Sequence, residues 1–342
     1  MGVKIKEILP FREVELDHFH GREIAIDAMN TLYQFLSTIR QYDGTPLKDS
    51  EGRVTSHLSG LFYRTSNLVE IGIKPLFVFD GEPPKLKSKT IENRRQIRAE
   101  AEKARKKALE KGKKEEARKY AQRSASLSSE MIGQSKTLLS AMGIPWVQAP
   151  GEGEAQASRI IQNGDAWGTG SQDFDSLLYG SPVLVRNLTI TGKRKLPGKD
   201  KYKQISPEVF EIEKIFEKHD IDRKKLIAIG ILVGTDYNEG IKGIGPNKAL
   251  KRVKEDGDIE EIIESADKVD VMEVDPLEIE KLFLEPDVTD DYSIKWAPPN
   301  PEEIKRFLCE KHDFSESRVE TGIERLEKGV GERAQESLEK WT

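Results

Sequence analysis

The sequence predicts an α/β fold with a central, mostly parallel twisted sheet flanked by helices. Three observations predict it. Short apolar runs end abruptly in aspartate, as buried strands of a parallel sheet do. A segment with helical spacing separates the first two of them, giving a strand, helix, strand unit. A long stretch rich in Ala, Glu, Lys and Arg, without proline, reads as helix.

Taken in order, the first strands are Glu23-Ile24-Ala25-Ile26 and Pro75-Leu76-Phe77-Val78-Phe79, which run into Asp27 and Asp80. Between them, residues 56–71 place Leu58, Leu61, Phe62, Leu68 and Val69 on one helical face. Residues 91–142 read as long helices interrupted at Gly112. Further strands are expected at 144–147, around 166–171 and at 182–186. A loop rich in Gly, Lys and Pro follows at 192–202, then helices at 207–218 and 224–232. Two glycines, Gly168 and Gly170, fall inside the fourth strand, where they weaken order. No internal repeat is present, and the tail from Lys328 is polar and expected to be mobile.

With 34% charged residues and a mean hydropathy of -0.60, the chain offers no apolar stretch of about 18 residues to span a bilayer. The N-terminus also lacks the apolar core of a secretory signal, so a soluble intracellular protein is expected. One cysteine excludes an internal disulfide, and five scattered histidines make no zinc array, so any metal is bound by oxygen. The net charge of -5 hides a segregation: residues 85–123 hold 16 Lys/Arg against 6 Asp/Glu, residues 255–291 hold 2 against 16. The basic block suits a polyanion, since neutralising phosphates releases counterions; a solvated helix would look alike in composition.

Chemistry is carried by acids at the ends of apolar elements: Ile26-Asp27, Phe79-Asp80, Asp173-Phe174-Asp175 and Thr235-Asp236. Ligand sites of parallel α/β sheets lie beyond the carboxyl ends of strands, where such acids can converge. Glu152 and Glu154 add a fifth contribution in the first turn of a helix after Pro150. Any one of these acids could be a cap or a surface charge, but five such motifs together point to a cation site, because clustered carboxylates repel unless a cation compensates. Mg²⁺ prefers oxygen ligands, and two such ions about 3.5 to 4 Å apart suit phosphodiester hydrolysis. No Gly-x-Ser-x-Gly elbow or phosphate-binding Gly-rich Lys-Ser/Thr loop competes, and His57 and His219 read as structural or surface residues. A second feature is Gly240-Ile241-Lys242-Gly243-Ile244-Gly245-Pro246-Asn247-Lys248-Ala249. Its glycines allow a tight turn, and Pro246 opens a helix whose N-terminal N–H groups, with Lys242 and Lys248, suit phosphate oxygens. This is the pattern of a helix-hairpin-helix backbone grip, which reads DNA shape and not sequence.

Together these motifs closely resemble the flap endonucleases of the XPG-type 5' nuclease family, archaeal members in particular, over nearly the whole chain. Ile26-Asp27-Ala28-Met29-Asn30, Val78-Phe79-Asp80-Gly81, Gly151-Glu152-Gly153-Glu154-Ala155, Gln172-Asp173-Phe174-Asp175-Ser176 and Gly234-Thr235-Asp236-Tyr237 stand in the family's order and spacing. The resemblance implies a PIN-like 5' nuclease fold with a helical arch and a helix-hairpin-helix motif. It implies a structure-specific 5' flap endonuclease and 5'–3' exonuclease of Okazaki fragment processing and DNA repair. Two Mg²⁺ ions, with Mn²⁺ as substitute, would be held by Asp27, Asp80, Glu152 and Glu154 on one side and by Asp173, Asp175 and Asp236 on the other.

By the same resemblance, Lys87 and Arg94 are the cations beside the scissile phosphate. Seven residues apart, they can share a helix face. Tyr33 is the aromatic on which a base stacks, although core packing is the alternative for it. Arg40, Arg64, Glu152, Gly234, Asp236, Lys242, Gly243, Gly245 and Lys248 are the further DNA contacts. The partner implied is branched DNA with a 5' flap, and the tail residues Gln335, Leu338 and Trp341 fit the peptide that binds the sliding clamp PCNA. Thr342 stands where that peptide has its second aromatic. The expected parts are a nuclease region over 1–98, arch and connection over 99–135, a second nuclease region with the hairpin motif over 136–258, a helical acidic part over 259–327 and the tail over 328–342. A monomer in the cytoplasm of an archaeal cell is expected, with no membrane contact. Two alternatives remain: a related 5' nuclease acting on bubbles or Holliday junctions, and a non-catalytic DNA-junction binding module.

Overall fold

The computed structural model describes residues 2–41, 44–190, 192–195, 202–265 and 274–339. Its strands are β1 (Arg12–Glu13), β2 (Glu23–Asp27), β3 (Lys74–Phe79), β4 (Trp146–Gln148), β5 (Gly168–Gly170), β6 (Val183–Arg186), β7 (Gly192–Lys195), β8 (Tyr202–Ile205) and β9 (Glu208–Glu211). The helices are α1 (Ala28–Thr38), α2 (Ser56–Glu70), α3 (Ser88–Glu110), α4 (Lys114–Arg123), α5 (Ser129–Ala141), α6 (Gly153–Gln162) and the short α7 (Asp175–Leu178). They continue with α8 (Ile212–His219), α9 (Arg223–Val233), α10 (Pro246–Asp256), α11 (Ile259–Ser265), α12 (Pro276–Leu284), α13 (Pro301–Lys305) and α14 (Glu316–Glu339).

One sheet runs in the order β1-β9-β6-β5-β2-β3-β4. Strands β6, β5, β2, β3 and β4 are parallel neighbours, and β9 and β1 extend one edge antiparallel. Alternation along β2 shows why both faces are covered: Ile24 and Ile26 enter the core that includes Leu32, Phe62 and Leu139 of α1, α2 and α5. Ala25 enters the core with Ala157 and Ile160 of α6. A strand buried on both sides needs apolar residues at successive positions, and β2 and β3 have them. The chain builds β2, β3 and β4 outward on one side, then returns to place β5 on the other side of β2. This switch point opens a crevice at the strands' carboxyl ends.

Several expectations need correction. Residues 207–218 do not form one helix: 208–211 are strand β9, between β6 and the two-residue β1, and α8 begins at Ile212. Val209 and Phe210 are buried in register with Val185 and Leu184 of β6, and pairing within the sheet overrides the helical spacing. Residues 192–195 of the loop rich in Gly, Lys and Pro pair with 202–205 as an antiparallel ribbon apart from the main sheet, while the rest of that loop lies outside the described residues. Strand β4 begins two residues later than expected. The glycines of β5 do not disrupt it: all three residues of the strand are buried, between β2 and β6.

Helices α3 and α4 pack side by side around Gly112, which turns the chain at φ +68°. The small buried residues Ala101, Ala108, Ala117 and Ala121 allow the close approach. Helix α14 packs on α2 and runs to Glu339, so the tail boundary at Lys328 falls inside it: Lys328 reaches Glu70 at 3.7 Å. Of the clamp-peptide residues, Trp341 and the side chains of Gln335 and Leu338 lie outside the described residues. Among the described residues, no helix is long and apolar enough to cross a membrane.

Candidate active site

The seven acids expected to form the site all lie at the carboxyl ends of the central parallel strands or beside them. Asp27 is the last residue of β2 and caps α1, accepting the Asn30 N–H at 2.9 Å. Asp80 follows β3 and accepts the Gly153 N–H at 2.8 Å. Glu152 stands at the N-cap position of α6 without a side-chain capping bond, and Glu154 lies in the helix's first turn. After β5, Asp173 accepts from the Asn30 amide at 3.0 Å, and Asp175 opens α7 and accepts the Val3 N–H at 2.7 Å. Asp236 follows α9.

Burial sets the electrostatics. Desolvation, then the Asp80 charge, raises the Asp27 carboxyl to about 8, although the Asn30 N–H opposes the shift. Asp175 rises to about 7 for the same first reason, with Asp236 and Asp173 adding repulsion. Glu154 is pushed well up by burial and by Asp175 and Asp27, against the Ser171 hydroxyl, which donates to it at 2.8 Å. Burial also raises Asp80 and Glu152, with Lys87 opposing in both cases. As the side chains stand, no three of the described acids are gathered closely enough to enclose an ion. Cations of the protein hold two of them instead. Lys87 bonds to Glu152 and lies 3.5 Å from Asp236, while Arg94 donates to both Asp236 oxygens at 2.7 and 2.6 Å. Burial lowers the pKa of Lys87, but Glu152 and Asp236 outweigh it and raise the ammonium above its ordinary range.

Residues 1–101 match the XPG N-terminal domain and residues 143–236 the XPG I-region. The sequence is 56% identical to flap endonuclease 1 of Pyrococcus abyssi, over all of this chain and 98% of that protein. The chain belongs to the flap endonuclease family. Among solved structures, the family's flap endonuclease-1 from Methanococcus jannaschii superposes with a TM-score of 0.76 at 41% identity, covering 97% of this chain and all of that one. The catalytic core of Rad2, solved in complex with DNA substrate, gives a TM-score of 0.68 at 25% identity over 92% of this chain and 96% of that one.

The residues that the family resemblance singled out beyond the acids fall into three places. Lys87 and Arg94 enter the carboxylate cluster from the base of α3. Tyr33 does not pack in the core: its ring is partly exposed on α1, with the Arg98 guanidinium 5.6 Å from its centroid. Arg40 follows α1 and is half-buried, donating to the Ser37 and Gly44 carbonyls, and Arg64 is half-buried on α2. The hairpin joins α9 to α10. It turns at Gly234, Gly240 and Gly243, all at positive φ, and Pro246 opens α10. No atom lies within 4 Å of where a Cβ would stand on Gly243 or Gly245, so this backbone is open on its outer side. Lys242 and Lys248 are exposed beside it, with the Lys248 ammonium 3.0 Å from the Gly243 carbonyl. Gly234 and Asp236 begin the same turn, linking hairpin and acids.

Sequence reasoning missed Asn30, Ser171 and the Val3 N–H, each of which orients an acid. It also missed the role of Gly2, where a Cβ would stand 2.7 Å from Asp175 Oδ1. Only Asn30 carried any signal, as the last residue of the motif that opens at Ile26.

Proposed function

We propose that this chain is a structure-specific 5' flap endonuclease and 5'–3' exonuclease that hydrolyses phosphodiesters at flap junctions with two Mg²⁺ ions, in Okazaki fragment processing and DNA repair. The observation that supports it most is the gathering of seven carboxylates at the carboxyl ends of the central strands or beside them, five of them pushed toward protonation, with Lys87 and Arg94 paired to Glu152 and Asp236. Such a cluster fits hard divalent cations: its donors are all oxygen, and its repulsion is what a bound cation relieves. Asp27, Asp80, Glu152 and Glu154 would hold one ion and Asp173, Asp175 and Asp236 the other, with Mn²⁺ as substitute. The ions supply activation of water and neutralisation of the leaving oxygen.

The chain's own residues do the rest. With ions compensating the acids, Lys87 and Arg94 are available to a phosphate, and a fixed cation there favours the charge that builds in the transition state. Tyr33 offers a ring face to the base next to the cut. Arg40, Arg64 and the open hairpin at Gly243 and Gly245, flanked by Lys242 and Lys248, take backbone phosphates without reading sequence. Helices α3 and α4 are the arch for the single-stranded flap. Gln335, Leu338 and Trp341 are the peptide for the sliding clamp PCNA, and the working form is a monomer in the archaeal cytoplasm.

The test incubates the protein with labelled single-flap, double-flap, bubble and four-way-junction DNA, with Mg²⁺ or with EDTA. Cutting at the base of the flap that needs Mg²⁺ is expected. Its absence overturns the proposal.

A further inference from the structure

Asp173 sits on a loop of four residues after a strand of three, and Asp175 opens the short α7, so little regular structure holds them. What fixes this loop comes from beneath. Arg186, at the end of β6, lies one strand away from β5, so its side chain meets the loop at the sheet's carboxyl edge. Its Nε donates to the Gln172 carbonyl at 2.9 Å, and its guanidinium lies 4.4 Å from the Phe174 ring centroid. Gln172 and Phe174 are the two neighbours of Asp173, so one guanidinium grips the chain on both sides of that acid.

The other edge of the guanidinium meets Glu208 of β9 at 3.1 Å, in direct register across the sheet. Glu208 also takes the Lys6 ammonium on both oxygens, at 2.6 and 2.7 Å. Lys6 follows Val3 by three residues, and the Val3 N–H is the donor to Asp175. Both the Arg186 and Glu208 side chains are largely buried, at 18% and 12% exposure, and Phe174 packs edge-on against Phe210 behind them. From one carboxylate, two ties therefore run to the two acids: Glu208 through Arg186 to Asp173, and Glu208 through Lys6 and the N-terminal segment to Asp175.

We infer that Arg186 and Glu208 are positioning residues for the metal site formed by Asp173, Asp175 and Asp236, holding the first two acids at the spacing one ion needs. This rests on the functional reading above. Partners behind metal ligands commonly govern affinity about 10- to 100-fold, and a planar guanidinium that both donates and stacks is not replaced by an amide or an ammonium.

The experiment compares wild type with Arg186→Gln, Arg186→Lys and Glu208→Gln. Mn²⁺ binding is followed by the paramagnetic resonance of free Mn²⁺, single-turnover cutting as a function of Mg²⁺, and flap binding in EDTA. In Arg186→Gln one of two Mn²⁺ classes should weaken about 10- to 100-fold. The Mg²⁺ midpoint should rise in step, excess Mg²⁺ should restore most of the rate, and flap binding should not change. Arg186→Lys should fall between. Wild-type Mn²⁺ affinities and Mg²⁺ midpoint in the variants, with only a lower Tm, overturn the inference, as does equal weakening of both classes together with lost flap binding. Should Arg186→Gln not fold, Glu208→Gln, which leaves the Arg186 stack in place, carries the same expectation. A wild type that neither binds Mn²⁺ nor cuts overturns the functional reading itself, through measurements on the unmutated chain.

Discussion

At the scale of single residues, the site is a contest between burial and compensation. Asp236 draws Arg94 onto both its oxygens and has Lys87 within 3.5 Å, so it is the acid through which α3 and the cluster meet. Asp236→Ala should abolish cutting, by loss of a ligand, while flap binding stays measurable, since the hairpin and the half-buried arginines are untouched. Lost binding with retained cutting would contradict the assignment. For Lys87→Ala a fall of about 10²- to 10³-fold in single-turnover rate is expected, the size seen when one fixed transition-state charge is removed. An unchanged rate would remove Lys87 from the reaction. Five of the seven acids were legible at the ends of apolar elements, Glu152 and Glu154 in the first turn of a helix, and the two cations only through the family resemblance. Their supports were not. The Val3 N–H and Asp175 are 172 positions apart and Asn30 and Asp173 are 143 apart, and nothing local in the chain marks such pairs.

At the scale of elements, β5 is the informative case. Its glycines are extended, so their value is steric. A Cβ on Gly170 would stand 3.2 Å from Ile26 Cγ1, and one on Gly168 3.3 Å from Val183. Their absence lets β5 lie close between β2 and β6 and brings the loop of Asp173 toward Asp27. Gly170→Ala should therefore destabilise the protein by about 1–3 kcal/mol, the range for overpacking a tight core. Calorimetry would read this as a Tm several degrees lower, and an unchanged Tm would mean that the sheet opens freely there. Strands buried on both faces, β2 and β3, were legible because their apolar residues are consecutive. The short strand β9 was not. Its four residues carry glutamates at both ends, too short a run for period two to stand out against the helical spacing that continues into α8. The β7–β8 ribbon was equally opaque, because it lies outside the main sheet and its sequence shows no alternation of apolar and polar residues.

At the scale of the whole molecule, the same acids make stability depend on pH and on metal. Asp27 and Asp175 titrate at about 8 and about 7 in the folded chain against an ordinary 3.8. Between these limits the folded state keeps protons that the unfolded state has released. The metal-free protein is thus favoured at low pH and loses stability as pH rises through the folded values. His57 works the other way: buried, with Nε2 3.0 Å from the Gln134 amide oxygen, it is held down to about 4 against 6.5. Its contribution is present above 6.5 and is lost as pH falls toward 4. The two trends oppose each other between about pH 4 and 6.5, but from about 6.5 to 8 only the acids change. In EDTA, stability should fall across that upper window by on the order of 2 kcal/mol, seen as a drop of a few degrees in Tm. Asp27→Asn should flatten the fall, and Mg²⁺ should remove it, because a bound cation keeps the acids ionised in the folded state. A Tm in EDTA that holds or rises from about pH 6.5 to 8 would mean that Lys87 and Arg94 already neutralise the cluster, leaving no unmet charge for a metal to answer.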